Sequence, residues 1–346
     1  MQLNGQRIDD PSAPLALGED GYPRNPLALV DLGAPEVLDR PPHALRDGGR
    51  IIVGVARGPL PERALPLLPV LDCTLLEGPP PGGADPRTYV PVSDAGASAE
   101  RLGRSVRGAP LAALTLAGLL RATEQLAVSE GLGAESAAYS TLLAGPEFAA
   151  WRAERPRRPG SSSGDPVLVH RDGGLLRVEL NRPERRNAFS AALRDELVEA
   201  LEIARLDSTV TAVELSGRGP SFCSGGDLDE FGTTPDPATA HVLRLRQSAG
   251  AAVDRCRGRA HARLHGACVG AGIEVSAFAG RITAHPDAFF QLPELSMGLI
   301  PGAGGTVSIT RRIGRWRTAF MALTGERLDA GTARGWGLVD HIAVPR

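Results

Sequence analysis

The chain has 346 residues and a formal net charge of −2, from 38 basic and 40 acidic side chains. This near-neutral balance excludes nucleic-acid binding through bulk electrostatic attraction. The four cysteines have no disulfide or metal-ligand spacing, no apolar run is long enough to span a bilayer, and the N-terminus lacks the pattern of a signal peptide. We therefore expect a cytoplasmic protein without a metal site, and a length that allows two domains.

Residues 1–108 predict an irregular start followed by a small α/β element. The first 48 residues are rich in Pro, Gly and Asp, which favours irregular chain. Apolar runs typical of strands and one helix are expected after them, at 51–56, 73–76, 89–92 and about 98–106. None of these runs carries residues with an evident chemical role.

Residues 109–154 predict three helices. The first is expected from Pro110 to about Val128, the second from Leu132 to Leu143, and the third begins at 145–147. Residues 155–166 follow them and have the Pro, Gly and Ser composition of a flexible linker.

Residues 167–346 begin with two strand-like runs, at 167–169 and 175–180. A helix is expected next, because Leu193, Leu197 and Leu201 recur at helical spacing. Ser190 stands where this helix needs an N-cap.

The segment 265–305 places two acids between glycine-rich turns. The turn Val269-Gly270-Ala271-Gly272 comes just before Glu274, and Glu294 follows twenty residues later, after an apolar stretch with almost no charge. Burying a carboxylate is costly unless it is partnered or protonated, and burial raises its pKa towards the range of general acid–base chemistry. The pattern predicts a pocket with proton-transfer groups.

A second turn of small residues lies upstream, at Ser221 to Leu228, after the strand-like run 212–215. Small residues let backbone amides approach a ligand closely. The two turns together can supply two N–H groups to one oxygen, as the stabilisation of an enolate or another oxyanion requires.

Residues from about 167 to 344 resemble the enoyl-CoA hydratase/isomerase (crotonase) superfamily. The matching segments occur in the family's order and spacing, at 180–190, 222–228, 265–305, 323–328 and 335–340. The resemblance implies an α/β fold in which repeated ββα units form a spiral.

The resemblance also implies roles for individual residues. Gly226 and Ala271 fall at the two oxyanion-hole positions, although glycine is usual where Ala271 stands. Hydratases of the family have two glutamates, here Glu274 for water activation and Glu294 for the α-carbon proton, whereas members that only shift a double bond usually keep just the later one. The positions expected to bind substrate are Arg185, Arg186, Ala188, Ser224, Asp227, Leu228 and Gly270.

Enoyl-CoA hydratase activity in fatty acid metabolism is the function that this resemblance implies, with the coenzyme A thioester as substrate and no metal or redox cofactor. Arg185 and Arg186 lie in the loop that contacts coenzyme A in the family, and arginine suits its phosphates. The alternatives are an enoyl-CoA isomerase in which Glu294 works alone, or a non-catalytic acyl-CoA-binding subunit. A homotrimer or hexamer is expected, without nucleic-acid or membrane partners.

The position of the helices is unusual for this family. Its members continue past the core with helices that cover the substrate site, and residues 133–148 resemble those helices. We hypothesise a circular permutation that puts the helical segment before the core, which closely spaced termini would tolerate. The alternative is an unrelated helical cap over 109–154.

Overall fold

The computed structural model describes residues 2–3, 6–7, 10, 12–46, 48–155 and 164–344, so most of the linker expected at 155–166 lies outside the described residues. The strands are β1 (Gln2–Leu3), β2 (Gln6–Arg7), β3 (Leu27–Asp31), β4 (Ile51–Arg57), β5 (Cys73–Glu77), β6 (Val90–Pro91), β7 (Val167–Asp172), β8 (Leu175–Leu180), β9 (Ala212–Gly217), β10 (Ala260–Leu264), β11 (Ala267–Val269), β12 (Arg281–Ala284), β13 (Phe289–Gln291), β14 (Leu328–Asp329) and β15 (His341–Ile342).

The α-helices are α1 (Pro35–Leu38), α2 (Ala95–Gly108), α3 (Pro110–Thr123), α4 (Val128–Leu143), α5 (Pro146–Ala153), α6 (Ala191–Leu206), α7 (Pro237–Arg246), α8 (Ala249–Arg255), α9 (Ala271–Ser276), α10 (Gly305–Thr324) and α11 (Ala330–Trp336). Short 3₁₀-helices occur at Pro42–Leu45, Glu62–Val70, Pro86–Thr88, Pro183–Arg185, Arg257–Arg259 and Glu294–Met297. Among the described residues, none of these helices is both long and apolar enough to cross a membrane.

Strands β1 and β2 form a two-stranded antiparallel sheet, and the next four strands form a parallel sheet in the order β3-β4-β5-β6. Alternate residues of β4 enter two cores on opposite faces: Ile51 and Val53 pack into the main core with α2 and α3, whereas Ile52 and Ala56 pack with the residues of the 3₁₀-helices. Because both faces of the sheet are covered, the strand shows a continuous apolar run in the sequence.

The expectation of irregular chain up to residue 48 was wrong at β3. Residues Leu27–Asp31 pair in parallel with Ile51 to Val55. The run is only five residues long and follows Pro26, so its local signal is weak. Its strand conformation comes from hydrogen bonds to β4, which lies more than twenty residues further along the chain.

The rest of the chain forms a mixed six-stranded sheet in the order β15-β12-β10-β9-β8-β7 and a three-stranded sheet β11-β13-β14. All pairs of the larger sheet are parallel except β7 with β8. Helix α6 begins where it was predicted, because the Ser190 hydroxyl accepts the N–H of Leu193 at 3.2 Å. The repeated strand–helix units bring several turns of small residues to one place.

Three helices occupy the segment 109–154, with different bounds from those expected. Helix α3 ends at Thr123, not near Val128, and α4 begins at Val128, four residues earlier than predicted. The break lies where the Glu130 carboxylate accepts the N–H of Ala127 at 3.0 Å and so starts the new helix. These helices pack against α7 and α10 of the core, as a permutation requires, and the permutation itself stays a hypothesis.

Helix α10 connects the N-terminal sheet to the core through one buried cation. The helix is kinked at Gly314, whose φ of +81° favours glycine, and the next residue, Arg315, is 2 % exposed. Its Nη1 donates to the carbonyl of Leu71 at 3.0 Å and lies 3.9 Å from a carboxylate oxygen of Asp72, while Arg121 of α3 donates to both oxygens of Asp72 at 2.8 Å. Burial raises the pKa of Asp72, whereas Arg121, the N–H of Ile52 and Arg315 act to lower it, so the buried carboxylate depends on these partners.

Replacing Asp72 with alanine should therefore destabilise the protein by about 3 kcal/mol or more, because Arg121 and Arg315 would lose the buried carboxylate that they share. Urea denaturation followed by circular dichroism measures this. The matched control is Asp39→Ala, which removes an ion pair with Arg63 whose side chains are 69 % and 63 % exposed, and which should cost less than about 1 kcal/mol. Equal losses in the two variants would contradict a structural role for the buried network.

Candidate active site

Two glycine-rich turns lie side by side at the edge of the small sheet. The carbonyl of Cys223 accepts the N–H of Val269 at 3.0 Å, and Cys223 pairs in parallel with Cys268 as an isolated bridge. Gly226 and Ala271 each come three residues after a member of this bridge. The parallel register therefore puts both residues at the same end of the paired segments.

The N–H groups of Gly226 and Ala271 donate to no protein acceptor among the described residues. Both residues line the same cavity of about 220 Å³. Ala271 is the first residue of α9, where an amide has no partner within the helix. The two predicted oxyanion donors are thus together and available, and the methyl group of Ala271 does not close the cavity.

Glu274 lies on α9 with its carboxylate buried, at 2 % exposure. One of its oxygens, Oε2, accepts the N–H of Ala303 at 2.8 Å and that of Gly305 at 3.0 Å. A Cβ at position 305 would come within 2.7 Å of the Glu274 Cγ, so glycine is needed for this close approach. The turn before α10 therefore fixes the first acid through its backbone.

Glu294 begins the 3₁₀-helix Glu294–Met297, and its side chain is buried with Oε2 lacking a hydrogen-bond partner in the described part of the chain. Gly270 makes room for this carboxylate, since a Cβ at that position would lie 2.6 Å from the Glu294 Oε1. An unpaired buried carboxyl oxygen facing a cavity is costly in a purely structural role and is available to a ligand.

Both acids belong to the cavity that also contains Gly226 and Ala271. Burial is the main cause that raises the pKa of Glu294, to about 8, and that of Glu274 well above its ordinary value, and each is raised further by neighbouring carboxylates. Two such groups titrate as a unit.

Most of the residues expected to bind substrate line a second cavity beside the first. Gly226 and Asp227 line both cavities, whereas Gly270 lines neither and lies beside the Glu294 carboxylate. The second cavity is also lined by Arg185, Arg186, Ala188, Ser224 and Leu228.

The two predicted arginines of the second cavity differ in whether an ion pair already neutralises their positive charge. Arg185 forms ion pairs with Asp227 at 3.0 Å and Asp229 at 2.7 Å, which raise the pKa of the Arg185 guanidinium. Arg186 is exposed and forms no ion pair with any described residue. Arg152 and Arg155, from the helical segment, line the same cavity. Arg186 is thus the better placed of the predicted pair for an incoming anion.

Several lining residues of the first cavity were missed by the sequence prediction, among them Glu135, Tyr139 and Arg244. Glu135 and Tyr139 come from α4, outside the motif-bearing segment. A signal was present, because Leu132, Glu135, Tyr139 and Leu142 recur at helical spacing and this stripe contains an acid. The Arg244 guanidinium lies 4.8 Å from the ring centre of Tyr139 and joins α7 to α4.

Comparison with known proteins identifies the family. Residues 170–346 match the enoyl-CoA hydratase/isomerase family. The chain belongs to the enoyl-CoA hydratase/isomerase superfamily. Together with the parallel α/β sheets, this membership confirms the predicted α/β crotonase-like fold of the core.

The relatives of this superfamily member catalyse more than one reaction. The chain is 33 % identical over 176 residues to the 2,3-dehydroadipyl-CoA hydratase of Escherichia coli K12, covering 51 % of this chain and 68 % of that one. It is 32 % identical over 181 residues to the 1,2-epoxyphenylacetyl-CoA isomerase of the same organism, covering 51 % and 69 %. A crystal structure of an enoyl-CoA hydratase from Mycobacterium smegmatis is 33 % identical, with a TM-score of 0.48 over 52 % of this chain and 70 % of that one.

Burial of Glu294 should make the stability of this superfamily member depend on pH. The folded pKa of about 8 exceeds the ordinary 4.5, so between these values the folded state binds more protons than the unfolded state. The free energy of unfolding should therefore fall as pH rises from about 4.5 to about 8. In Glu294→Gln this contribution is absent, and the variant should gain on the order of 1 to 3 kcal/mol over wild type between pH 5 and pH 9.

Urea denaturation at the two pH values measures the effect. The control is Glu199→Gln, an exposed glutamate of α6, whose difference from wild type should not change with pH. If Glu294→Gln followed the control, Glu294 would titrate as an ordinary surface acid.

Proposed function

We propose that this protein is an enoyl-CoA hydratase, which adds water across the double bond of a 2-enoyl-CoA. The observation that carries the proposal is the convergence of Glu274 and Glu294 on a cavity that also presents the N–H groups of Gly226 and Ala271. Membership of the superfamily and the hydratase among its relatives support the same chemistry.

In this reaction the thioester carbonyl oxygen accepts the two amide N–H groups. Charge gathers on that oxygen as water attacks the β-carbon, and preorganised donors stabilise the enolate-like transition state more than the substrate. The water oxygen forms the new C–O bond, one of its protons goes to a carboxylate, and the α-carbon takes a proton from the second acid. The product is a 3-hydroxyacyl-CoA, and the pair of acids ends with the same number of protons.

The two acids suit different steps. Glu274 has one oxygen committed to the amides of Ala303 and Gly305. These hydrogen bonds favour the ionised form against the burial that raises the Glu274 pKa, and Oε1 is left to accept the proton from water. Glu294 Oε2 has no hydrogen-bond partner among the described residues, and burial raises the Glu294 pKa to about 8, so this oxygen can carry the proton that goes to the α-carbon. These assignments agree with the roles that the family resemblance implies for the two glutamates.

Double-bond isomerisation of an enoyl-CoA is the second candidate, with Glu294 moving the proton alone. Glu294 Oε2, which has no partner among the described residues, favours it, because a single carboxylate suffices for a proton shift between carbon atoms. An isomerase also stands among the relatives. The position of Glu274 beside the same cavity supports hydration over this alternative.

For the coenzyme A portion we propose the second cavity. Arg186 forms no ion pair with any described residue there and Arg152 approaches from α5, so guanidinium groups are available to phosphate oxygens. The same cavity is also lined by the carboxylates of Glu154, Glu184, Asp227 and Asp229, so the proposal depends on Arg186 and not on an excess of positive charge. The cytoplasmic location and the homotrimer or hexamer expected from the family stay predictions.

Purified protein should hydrate crotonyl-CoA or a longer 2-enoyl-CoA, seen as loss of absorbance of the conjugated thioester. Glu294→Gln and Glu274→Gln should each lower kcat by about a hundredfold or more, because each removes a positioned acid–base group. Glu199→Gln serves as the exposed control and should keep full activity.

A 3-enoyl-CoA tested beside these substrates separates the two candidates. Gain of conjugated absorbance that survives in Glu274→Gln but not in Glu294→Gln would establish isomerisation instead of hydration. Binding of the thioesters without turnover of any of them would leave the acyl-CoA-binding subunit as the function.

A further inference from the structure

We propose that Glu135, contributed by the helical segment before the core, is a positioning residue for the acid–base pair. This inference rests on the proposed hydration and extends its machinery from two carboxylates to three. Glu135 acts through the turn Ala303–Thr306 that holds Glu274, and through its charge beside both acids.

The turn is shared between two carboxylates, which bind its amides alternately. Glu274 Oε2 accepts the N–H groups of Ala303 and Gly305, whereas Glu135 accepts that of Gly304 on Oε1 at 2.7 Å and that of Thr306 on Oε2 at 2.9 Å. The Thr306 hydroxyl donates to the same Oε2 at 2.7 Å. Glu274 and Glu135 thereby bind four successive backbone amides, those of residues 303–306, around the start of α10.

Turnover changes the charge on only one of these carboxylates. When Glu274 takes a proton from water, its attraction for the amides of Ala303 and Gly305 weakens, because hydrogen bonds to an ionised acceptor are the stronger ones. Glu135 has two amides and a hydroxyl of its own on the same turn. It can hold the turn in place while Glu274 is protonated, so Glu274 returns its proton from an unchanged position.

Glu135 also acts on the pair through its charge. It is 2 % exposed and burial raises its own pKa to about 7; when it is ionised, its negative charge adds to the burial that raises the pKa of Glu274 and of Glu294. Arg244 of α7 acts in the opposite sense on Glu135, and Tyr139 lies one helical turn further along α4. The charged and titratable groups that face Glu135 within the described chain are Glu274, Glu294, Arg244 and Tyr139.

Two substitutions separate the hydrogen bonds of Glu135 from its charge. Glu135→Gln keeps the size but removes the charge and one acceptor oxygen, so kcat for hydration should fall at least tenfold with KM within about twofold. The alkaline limb of the pH profile of kcat/KM should move to lower pH by about half a pH unit or more. Glu274 and Glu294 lose a neighbouring negative charge in this variant, so their pKa values fall. Glu135→Asp keeps the charge but shortens the reach, so kcat should fall while the limb stays in place.

The matched control is Thr141→Ala in the same helix, whose exposed hydroxyl donates to the carbonyl of Ala137 of α4 and touches neither the turn nor Arg244. It changes only the surface of α4 and should leave both kcat and the pH limb unmoved. A Glu135→Gln enzyme with an unmoved limb and kcat within twofold of wild type would overturn the inference. Should Glu135→Gln fail to fold, Glu135→Asp decides, because unchanged kcat in that variant would overturn the inference as well.

A second measurement needs no turnover. Carbon-13 NMR of glutamate carboxyl groups, with Glu294 assigned through Glu294→Gln, follows the titration of Glu294 directly. A lower titration midpoint in Glu135→Gln supports the influence of Glu135 even if the wild type hydrates nothing, in which case only the proposed function has failed. An unmoved midpoint in an active hydratase means that Glu135 has no such influence.

Discussion

The cost of keeping carboxylates away from water is the constraint on which this site depends. Glu135, Glu274 and Glu294 are all buried around one small cavity, and each would prefer water or a cation. Arg244 acts on Glu135 from a distance, and no described arginine forms an ion pair with any of the three acids. Two of the acids are stabilised instead by backbone amides, and the third is left with an unpaired oxygen.

Backbone amides are well suited to this role because they carry partial charge without titrating. The turn before α10 provides four of them to Glu274 and Glu135, and the turns around Gly226 and Ala271 leave two more for a ligand. Glycine is required at two positions of these turns. A Cβ at Gly270 would collide with the carboxylate of Glu294, and a Cβ at Gly305 would collide with the side chain of Glu274. The site therefore combines fixed dipoles with acids of variable charge, and this combination suits proton transfer next to an oxyanion.

Much of the core and of the motif-bearing part of the site could be predicted from the sequence, because the signals there are local. Small residues mark the turns, an acid in an apolar run marks Glu274, and Ser190 caps the helix where its spacing indicated. Features that depend on distant partners were missed. Strand β3 forms because it pairs with β4. Glu135 can be buried because it accepts hydrogen bonds from backbone amides that lie 169 and 171 residues further along the chain. The end of α3 and the start of α4 differ from the prediction because the Glu130 carboxylate accepts the N–H of Ala127 and so starts a new helix at Val128.

The placement of α4 before the core has a consequence for how the protein is made. A ribosome releases Glu135 long before it releases Thr306, so the carboxylate must remain in water until its amides have been synthesised. Contacts of such long sequence separation form late, since a large loop has to close before they contribute. Strands β7 to β13 and α6 emerge in between and can pack without these contacts. We therefore expect the enclosed cavity to be the last part of the nascent chain to acquire its native order.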